Sequence, residues 1–182
     1  MFELVETRIA GSYIVKPKVV TDARGRFMKF FHAPAFQLLG LPTEFAEAFS
    51  TSSHKGVVRG LHFQRPPSHQ AKLLHCVQGQ VLDVVVDLRV GSPTYHRVSA
   101  IELNDATPMC LYLPPGLAHG FCTLSMTATL SYMVTCPHCP SDDQGIRWDS
   151  IDFSWPVSDP ILSERDRDLP RLADFVSQFV YG

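Results

Sequence analysis

The sequence predicts an all-β fold, a sandwich or barrel of short strands with a few short helices, one of them at the C-terminus. Short apolar runs recur along the chain, and turn residues such as Gln78-Gly79 and Pro114-Pro115-Gly116 separate them. Few segments between these runs carry a helical period. Regular strands without intervening helices are typical of sandwiches and barrels.

The predicted elements start with a short helix over Ala33–Leu39, which Gly40 is suited to end. Strand-like runs follow, and the nearly continuous apolar run Val81–Asp87 is expected to be central in its sheet. The predicted strands are Lys72–Val77, Val81–Leu88, His96–Leu103, Met109–Leu113, Gly120–Leu124 and Ala128–Val134. Behind Pro170, apolar residues at helical spacing predict a C-terminal helix. These residues are Leu172, Phe175, Val176, Phe179 and Val180.

Size and composition indicate one domain over residues 1–182. Of the 182 residues, 45% are hydrophobic and 19% charged, which suits a packed core and argues against disorder. The formal net charge of −2 provides no global field for nucleic acid, so local cations must bind any anionic ligand. The N-terminus lacks a signal-peptide layout, and no apolar run approaches the roughly 18 residues that span a bilayer. We therefore expect a cytoplasmic protein with no membrane partner.

The most informative segment is Arg59-Gly60-Leu61-His62-Phe63-Gln64, with Lys72 shortly after it. It combines an imidazole that titrates near neutral pH with a guanidinium and an ammonium. A base beside two cations suits the removal of a proton from a carbon acid carried on an anionic substrate. Taken alone, each residue has a plainer interpretation, such as a structural histidine or a solvent-facing lysine.

Further motifs follow in the second half of the chain. Pro114-Pro115-Gly116-Leu117-Ala118-His119 matches the P-x-G-x-x-H element of cupin barrels, and Tyr132 and Leu162-Ser163-Glu164-Arg165-Asp166 come after it. In order and spacing, these blocks resemble the dTDP-4-dehydrorhamnose 3,5-epimerase family. The resemblance implies a cupin-type jelly roll, a homodimer, and an enzyme that needs no cofactor or metal. It also implies inversion at C3, C5 or both of a nucleotide-diphospho-4-keto-6-deoxy sugar, in deoxysugar biosynthesis for cell-surface polysaccharide.

The resemblance implies catalytic roles for four residues. His62 is the base that removes a proton α to the ketone, and Asp166 is the carboxylate that fixes its tautomer and stabilises the imidazolium. Lys72 is the partner of the C4 oxygen, where negative charge grows during enolisation. Tyr132 is the acid that protonates the carbon from the opposite face. Without the resemblance, Asp166 would be interpreted as part of a solvated charge run and Tyr132 as a core residue.

The resemblance also implies a set of substrate-binding residues. Arginine side chains suit phosphate oxygens, and a histidine and a carboxylate complete the set. These residues are Arg24, Arg59, His119, Asp143 and Arg165. Asp143 stands where the family usually has a glutamate.

The departures from the family pattern gather around residues expected to meet the nucleotide base. Glu47 and Phe49 stand where the family carries Gln and Asn. Lys29 replaces a glutamate, and His138 replaces a second tyrosine. We therefore hypothesise that the nucleotide is not dTDP, with CDP and GDP as candidates. The sequence leaves open which carbon is inverted and whether the sugar is a hexose or a heptose.

A metal-dependent cupin, a dioxygenase or an isomerase, is the main alternative. The histidines that could supply ligands are His62, His69, His75 and His119. Such cupins usually carry His-x-His followed by a glutamate in the first block, and this sequence has neither there. A non-catalytic sugar-nucleotide-binding domain is a further alternative, but binding alone needs no opposed base and acid.

The five cysteines indicate a reduced protein, because their number is odd and three lie in strand-like runs, where a buried thiol acts as a small apolar side chain. Cys136-Pro137-His138-Cys139 has the C-x-x-C spacing of dithiol oxidoreductases. That chemistry needs a helix N-terminus, whereas this motif follows a strand and precedes a turn. We interpret it as a loop.

Overall fold

Short antiparallel strands dominate the regular structure of the computed structural model, which describes residues 2–182; Met1, the first residue of the predicted domain, lies outside them. The strands are β1 (Phe2–Glu6), β2 (Tyr13–Pro17), β3 (Val19–Asp22), β4 (Gly25–Met28), β5 (Glu47–His54), β6 (Val58–Gln64), β7 (Lys72–Gln78), β8 (Gln80–Asp87), β9 (Val98–Asn104), β10 (Cys110–Leu113), β11 (Leu117–Thr123), β12 (Thr127–Val134) and β13 (Asp143–Gly145). The helices are α1 (Ala33–Leu38) and α2 (Glu164–Asp168), and 3₁₀ turns cover Trp148–Ser150 and Leu172–Asp174.

Two sheets are packed against each other. One has six strands in the order β1-β2-β10-β7-β12-β5, and the other has five in the order β13-β6-β11-β8-β9. The chain passes from one sheet to the other several times, so strands that are neighbours in a sheet are often distant in sequence, as in a jelly roll. A separate hairpin consists of β3 and β4. The predicted all-β jelly-roll architecture is confirmed.

The main core lies between the sheets because successive side chains of a strand point to opposite faces. Leu74 and Leu130 of the six-stranded sheet share one buried cluster with Val85 and Phe121 of the five-stranded sheet. The outer faces carry their own apolar clusters. Helix α1 covers the six-stranded sheet, and the C-terminal tail covers the five-stranded sheet.

Each predicted strand corresponds to an observed one, with shifted boundaries. β11 begins at Leu117, earlier than the predicted Gly120. β9 begins at Val98 rather than at His96, because the His96 N–H donates to the Asp87 carbonyl and its φ of 60° turns the chain. The predicted helix Ala33–Leu39 is α1, which ends one residue earlier.

The predicted C-terminal helix is wrong. After the 3₁₀ turn at Leu172–Asp174 the tail is extended, and it exchanges backbone hydrogen bonds with Val90. Phe175 and Phe179 both pack their rings on Phe63, at centroid distances of 5.1 and 5.6 Å. Because Phe175 and Phe179 both contact Phe63, they stand four residues apart in the sequence, as on a helix, although the chain here is extended.

The charge run Glu164–Asp168 forms α2, which the apolar periodicity does not predict. Ser163 caps this helix, since its Oγ accepts a hydrogen bond from the Asp166 N–H at 3.1 Å. The pattern Ser-x-x-Asp just before a polar turn was the signal that could have revealed it.

Among residues 2–182, no helix combines the length and apolar character needed to cross a membrane. All five cysteines are free, and Cys76, Cys110 and Cys122 are buried, as their strand-like surroundings predict. Cys136 and Cys139 lie in the irregular segment after β12, so the interpretation of C-x-x-C as a loop is confirmed.

Candidate active site

A cavity opens between the two sheets. Its outer part has a volume of about 280 Å³ and its inner part about 110 Å³, and Phe49, His62 and Lys72 border both. The other outer walls are Glu47, Phe63, Gln64, Gln70, Val134, His138, Asp143 and Arg165. The other inner walls are Thr51, Arg59, His119, Gly120, Phe121 and Tyr132. Every predicted site residue except Arg24 lines this cavity or contacts a residue that does.

His62 stands on β6 and is hydrogen-bonded to Asp166. Its Nε2 lies 2.5 Å from Oδ1 of Asp166, and Asp166 is 2% exposed. The Gly60 N–H donates to the other carboxylate oxygen at 3.5 Å. Burial alone would raise the pKa of Asp166, but the hydrogen bond and charge of His62 outweigh it and hold the pKa below its ordinary value. Asp166 is therefore ionised at neutral pH. Because it is bonded to Nε2 of His62, the other ring nitrogen, Nδ1, is left to take a proton.

Lys72 and Tyr132 belong to the other, six-stranded sheet. Lys72 on β7 pairs directly with Val134 on β12, which pairs in turn with Glu47 on β5. Residues directly opposite each other in antiparallel strands share a face, and so do residues two apart along one strand. Lys72 and Tyr132 thus face the cavity that His62 enters from the five-stranded sheet.

Lys72 is half-buried beside acidic and amide groups. Burial lowers the pKa of its ammonium to about 8, and the charges of Asp143 and Glu47 oppose that shift. When the amide of Gln70 is oriented to satisfy both its ends, its oxygen accepts from Nζ at 2.8 Å and its nitrogen donates to the Cys136 carbonyl at 2.6 Å. The ammonium form of Lys72 therefore still predominates at pH 7. A buried ammonium suits an oxygen on which negative charge develops.

Tyr132 is buried, and its ring contacts two others. Phe49 stacks on it at a centroid distance of 4.8 Å, and His119 approaches edge-on at 6.0 Å. Burial raises the pKa of the phenol well above its ordinary value, and the charge of Asp83 adds to this effect. The phenol is therefore protonated at neutral pH, as a proton donor must be.

A second histidine–carboxylate pair, His119 and Asp83, lies beside the first. Nε2 of His119 is 2.7 Å from Oδ2 of Asp83, which is fully buried, and burial raises the pKa of this carboxyl against the opposing effect of His119. Pairing of β11 with β6 sets His119 directly opposite His62. Sequence reasoning missed Asp83. The signal was a carboxylate inside the apolar run Val81–Asp87, because a fully buried carboxylate almost always has a partner.

Two glycines let β6 and β11 approach closely where these histidines stand. A Cβ on Gly60 would meet the Cα of Gly120 at 2.6 Å, and one on Gly120 would collide with the Arg59 carbonyl. Gly60 also has a φ of +125°, which other residues rarely adopt. The pairing shifts register here, and such bulges redirect side chains next to binding sites.

The predicted anion-binding residues divide into two groups. Arg59 borders the inner cavity, and Arg165 borders the outer cavity, where it pairs with Asp143 at 2.8 Å. Arg24 lies at the turn of the β3–β4 hairpin, with its side chain 90% exposed and paired with Asp22 at 2.6 Å. Within one chain, the structure therefore does not bring Arg24 to the cavity.

The residues that depart from the family pattern are unevenly placed. Glu47, Phe49 and His138 line the cavity beside the predicted catalytic groups. Lys29 is exposed just after β4 and is not among the cavity walls. Three of the four departures therefore line the same outer part of the cavity as Lys72. They do not form a separate pocket for the nucleotide base.

The four histidines of the metal-cupin alternative do not converge. His69 borders a different surface cavity, and His75 stacks on Phe30 at 4.6 Å on the face of β7 opposite to Lys72. Across residues 2–182, no group of three or more His, Cys, Asp or Glu side chains is arranged to hold a metal ion.

Comparisons with known proteins agree with one another. The family model described as dTDP-4-dehydrorhamnose 3,5-epimerase matches residues 6–174. A dTDP-4-dehydrorhamnose 3,5-epimerase from Shigella flexneri is 38% identical over 174 residues, which cover 94% of this chain and 96% of the relative. A dTDP-4-dehydrorhamnose 3-epimerase from Streptomyces niveus is 40% identical over 169 residues, which cover 91% of this chain and 82% of the relative.

A solved structure shares the whole fold. The crystal structure of a dTDP-6-deoxy-D-glucose-3,5-epimerase from Legionella pneumophila, in complex with dTDP-4-keto-L-rhamnose, superimposes with a TM-score of 0.94 at 31% identity. The match covers 100% of this chain and 100% of that chain.

Proposed function

Since the chain belongs to the dTDP-4-dehydrorhamnose 3,5-epimerase family, we propose that it is an isomerase that inverts C3, C5 or both of a nucleotide-diphospho-4-keto-6-deoxy sugar in deoxysugar biosynthesis. The observation that carries the proposal is that His62 enters one cavity from one sheet, while Tyr132 and Lys72 enter it from the other. Inverting a carbon of a ring requires a base on one face and an acid on the other, and facing sheets supply both.

The proposed reaction proceeds through an enolate. His62 takes the proton from the carbon next to the C4 ketone, the electrons of that C–H bond form a carbon–carbon double bond, and the C4 oxygen becomes negative. The Lys72 ammonium stabilises this oxygen. Tyr132 then gives its proton to the same carbon from the opposite face, which restores the ketone with inverted configuration. Exchange with solvent returns the imidazolium and the phenolate to their starting forms.

Asp166 and His119 support this chemistry in the proposal. The Asp166 carboxylate stabilises the positive charge that His62 gains, because the carboxylate is buried and lies 2.5 Å from Nε2 of His62. His119 borders the inner cavity close to the Tyr132 ring and has Nδ1 left for the substrate, since Nε2 is bonded to Asp83. We assign it to substrate binding.

The diphosphate is proposed to lie along Arg59 and Arg165, whose guanidinium groups suit phosphate oxygens. Asp143 positions Arg165 through their ion pair. The outer cavity, about 280 Å³, is at the small end of ligand sites, which usually measure roughly 300–1,000 Å³. It suits the sugar with the diphosphate at its mouth, so the nucleoside needs further surface.

We propose that a second copy of this chain supplies that surface, in a homodimer. The β3–β4 hairpin is exposed on its apolar side, with Val20 49% and Phe27 64% exposed, and it carries Arg24 at its turn. Packing of this hairpin on a partner would cover its apolar residues and direct Arg24 toward the partner's diphosphate. Light scattering should give the mass of a dimer, and Phe27→Asp should yield monomers. A wild-type protein that is monomeric at micromolar concentration would contradict this part of the proposal.

The identity of the substrate's nucleotide also needs a test. The relatives named above act on dTDP sugars, whereas Glu47 and Phe49 depart from the family pattern. Isothermal titration with dTDP, CDP, GDP and UDP compares them directly. The hypothesis that the nucleotide is not dTDP predicts tighter binding of CDP or GDP. Clearly tightest binding of dTDP refutes it.

The cytoplasmic location and the single domain over residues 1–182 stay predictions.

NMR in heavy water tests the reaction itself. Incubation with 4-keto-6-deoxy sugars of the same four nucleotides should place deuterium at C3, C5 or both and produce signals of the epimer. His62→Ala should abolish the exchange, and His69→Ala, outside the cavity, should not change it. Absence of exchange with every substrate would remove the proposed function, and full exchange by His62→Ala would remove the assigned base.

A further inference from the structure

Glu47 places a carboxylate at a cavity position where the family carries a neutral glutamine. We propose that Glu47 is a positioning residue for Lys72: its carboxylate, anchored to the segment after β12, helps to keep the Lys72 side chain as an ammonium that faces the cavity. The inference deepens the proposed function and rests on it for the catalytic meaning of that charge.

Strand register places Glu47 and Lys72 on the same face of the six-stranded sheet. Both residues pair with Val134, from opposite sides of β12, so their side chains leave the same face of the sheet. Two strand spacings, roughly 10 Å, separate their backbones, and both side chains are long enough to lean across Val134. Both also border the outer cavity.

A hydrogen bond fixes the Glu47 carboxylate in this position. Its Oε2 accepts from the His138 backbone N–H at 2.8 Å, across the mouth of the cavity. A backbone N–H is neutral and leaves the negative charge uncompensated. The other nearby carboxylate, Asp143, raises the pKa of Lys72 more than Glu47 does. However, Asp143 also forms an ion pair with Arg165 at 2.8 Å, which offsets part of its negative charge. Glu47 thus adds a second negative charge to that of Asp143, and among residues 2–182 no ion pair neutralises it.

The remaining charged and titratable groups around Lys72 oppose its positive charge or leave it unaffected. Arg59 on β6 is a permanent cation at the inner wall. His138 borders the outer wall and adds positive charge when it is protonated. Tyr132 is neutral at working pH.

The two histidines at the inner wall are each hydrogen-bonded to a carboxylate. His62 has Asp166 as its partner, and His119 has Asp83. Burial is the main influence on Lys72, and it favours the uncharged amine. The carboxylates at the outer wall, Asp143 and then Glu47, oppose this effect of burial and favour the ammonium.

Chemical labelling of Lys72 tests the inference without any substrate. The uncharged amine reacts with acetic anhydride, so the extent of labelling against pH, followed by peptide mass spectrometry, titrates this side chain. In Glu47→Gln, loss of the negative charge should move the midpoint to lower pH by about half a unit, or roughly three-fold more free amine at a given pH. Glu47→Asp, which keeps the charge, should restore most of the difference.

Glu44→Gln is the matched control, because it removes an exposed carboxylate three positions away in the same segment. It should leave the Lys72 midpoint unchanged. An unchanged or higher midpoint in Glu47→Gln, or an equal shift in Glu44→Gln, would overturn the inference. If labelling shifts as expected but no 4-keto sugar exchanges deuterium, the electrostatic role of Glu47 holds and the proposed function fails.

In active enzyme, the alkaline limb of the pH–rate profile should shift to lower pH in Glu47→Gln by the same amount as the labelling midpoint. A purely structural effect would lower the rate at every pH without moving this limb.

Discussion

Replacing Asp166 with Asn removes one negative charge from the His62 pair and changes its shape little. The carboxylate is buried and lies 2.5 Å from Nε2 of His62, so solvent screens the interaction weakly. In the proposed reaction, this charge stabilises the imidazolium formed when His62 takes the substrate proton. The neutral amide cannot do so, and its N–H₂ group can hold the imidazole in the wrong tautomer.

The size of the loss can be bounded. A hydrogen bond to a charged group contributes about 1.5–3 kcal/mol, and 1.36 kcal/mol corresponds to about ten-fold in rate, so the lost charge alone costs roughly 10- to 150-fold. A wrong tautomer raises the cost to as much as ~10⁴-fold in a comparable histidine–carboxylate pair of serine proteases. We therefore expect Asp166→Asn to slow deuterium exchange by roughly 10- to 10⁴-fold.

The assay compares the initial rate of deuterium incorporation into the sugar at pH 7, with Asp168→Asn as the control. Asp168 lies on the same helix α2 but is exposed, so its variant should match the wild type. A rate within three-fold of wild type in Asp166→Asn would refute the role of the pair.

Stability provides a second readout for the same variant. The folded pKa of Asp166 is lowered, so its contribution to stability is present above the ordinary carboxyl value of 3.8 and is lost as pH falls through the folded pKa. Any stability advantage of wild type over Asp166→Asn should therefore be seen at pH 7 and shrink in acid. An advantage that grows in acid would contradict the lowered pKa.

Three further variants test other parts of the site. Tyr132→Phe should keep exchanging solvent deuterium while failing to complete inversion, because only the opposite-face acid is removed; normal formation of the epimer would contradict its role. Lys72→Met should lower kcat/KM by roughly 100- to 1,000-fold, as loss of an oxyanion partner typically does, and a loss seen only in KM would argue against that assignment. Gly120→Ala should lower the free energy of unfolding in urea by about 1–3 kcal/mol through overpacking, whereas Gly182→Ala, whose Cβ meets nothing within 4 Å, should not.

The strands were predictable from the sequence where local signals and tertiary packing agree. Short apolar runs between turn signals located β7 to β12, because these strands lie in the core of the sandwich, and β10 and β11 are buried on both faces. The C-terminal tail misled the same reasoning. Phe175 and Phe179 reach a common partner, Phe63, from an extended chain, and sequence spacing does not show which partner a ring will meet.

The site was predictable to the extent that its motifs are contiguous. His62, Lys72 and Tyr132 stand in recognisable blocks, and all three border the inner cavity. Asp83 escaped notice because its partner, His119, comes from another strand, and only strand register brings the two together. Arg24 is the opposite case. The sequence motif predicts it as a substrate-binding residue, but in the single chain it lies on an exposed hairpin away from the cavity.

The two-sheet architecture explains why this chemistry suits this fold. In a sandwich, side chains from facing sheets point at each other, so a ring held between the sheets presents one face to each. This arrangement places charged groups in the core. Burial lowers the pKa of Lys72 and raises the pKa of Asp83, and both shifts favour the uncharged form. Each imidazole of the cavity has a carboxylate partner, Asp166 for His62 and Asp83 for His119, but only the pKa of Asp166 is held below its ordinary value. For Lys72, the carboxylates Asp143 and Glu47 of the outer wall oppose the effect of burial, so substitutions there should change the rate through the charge of Lys72.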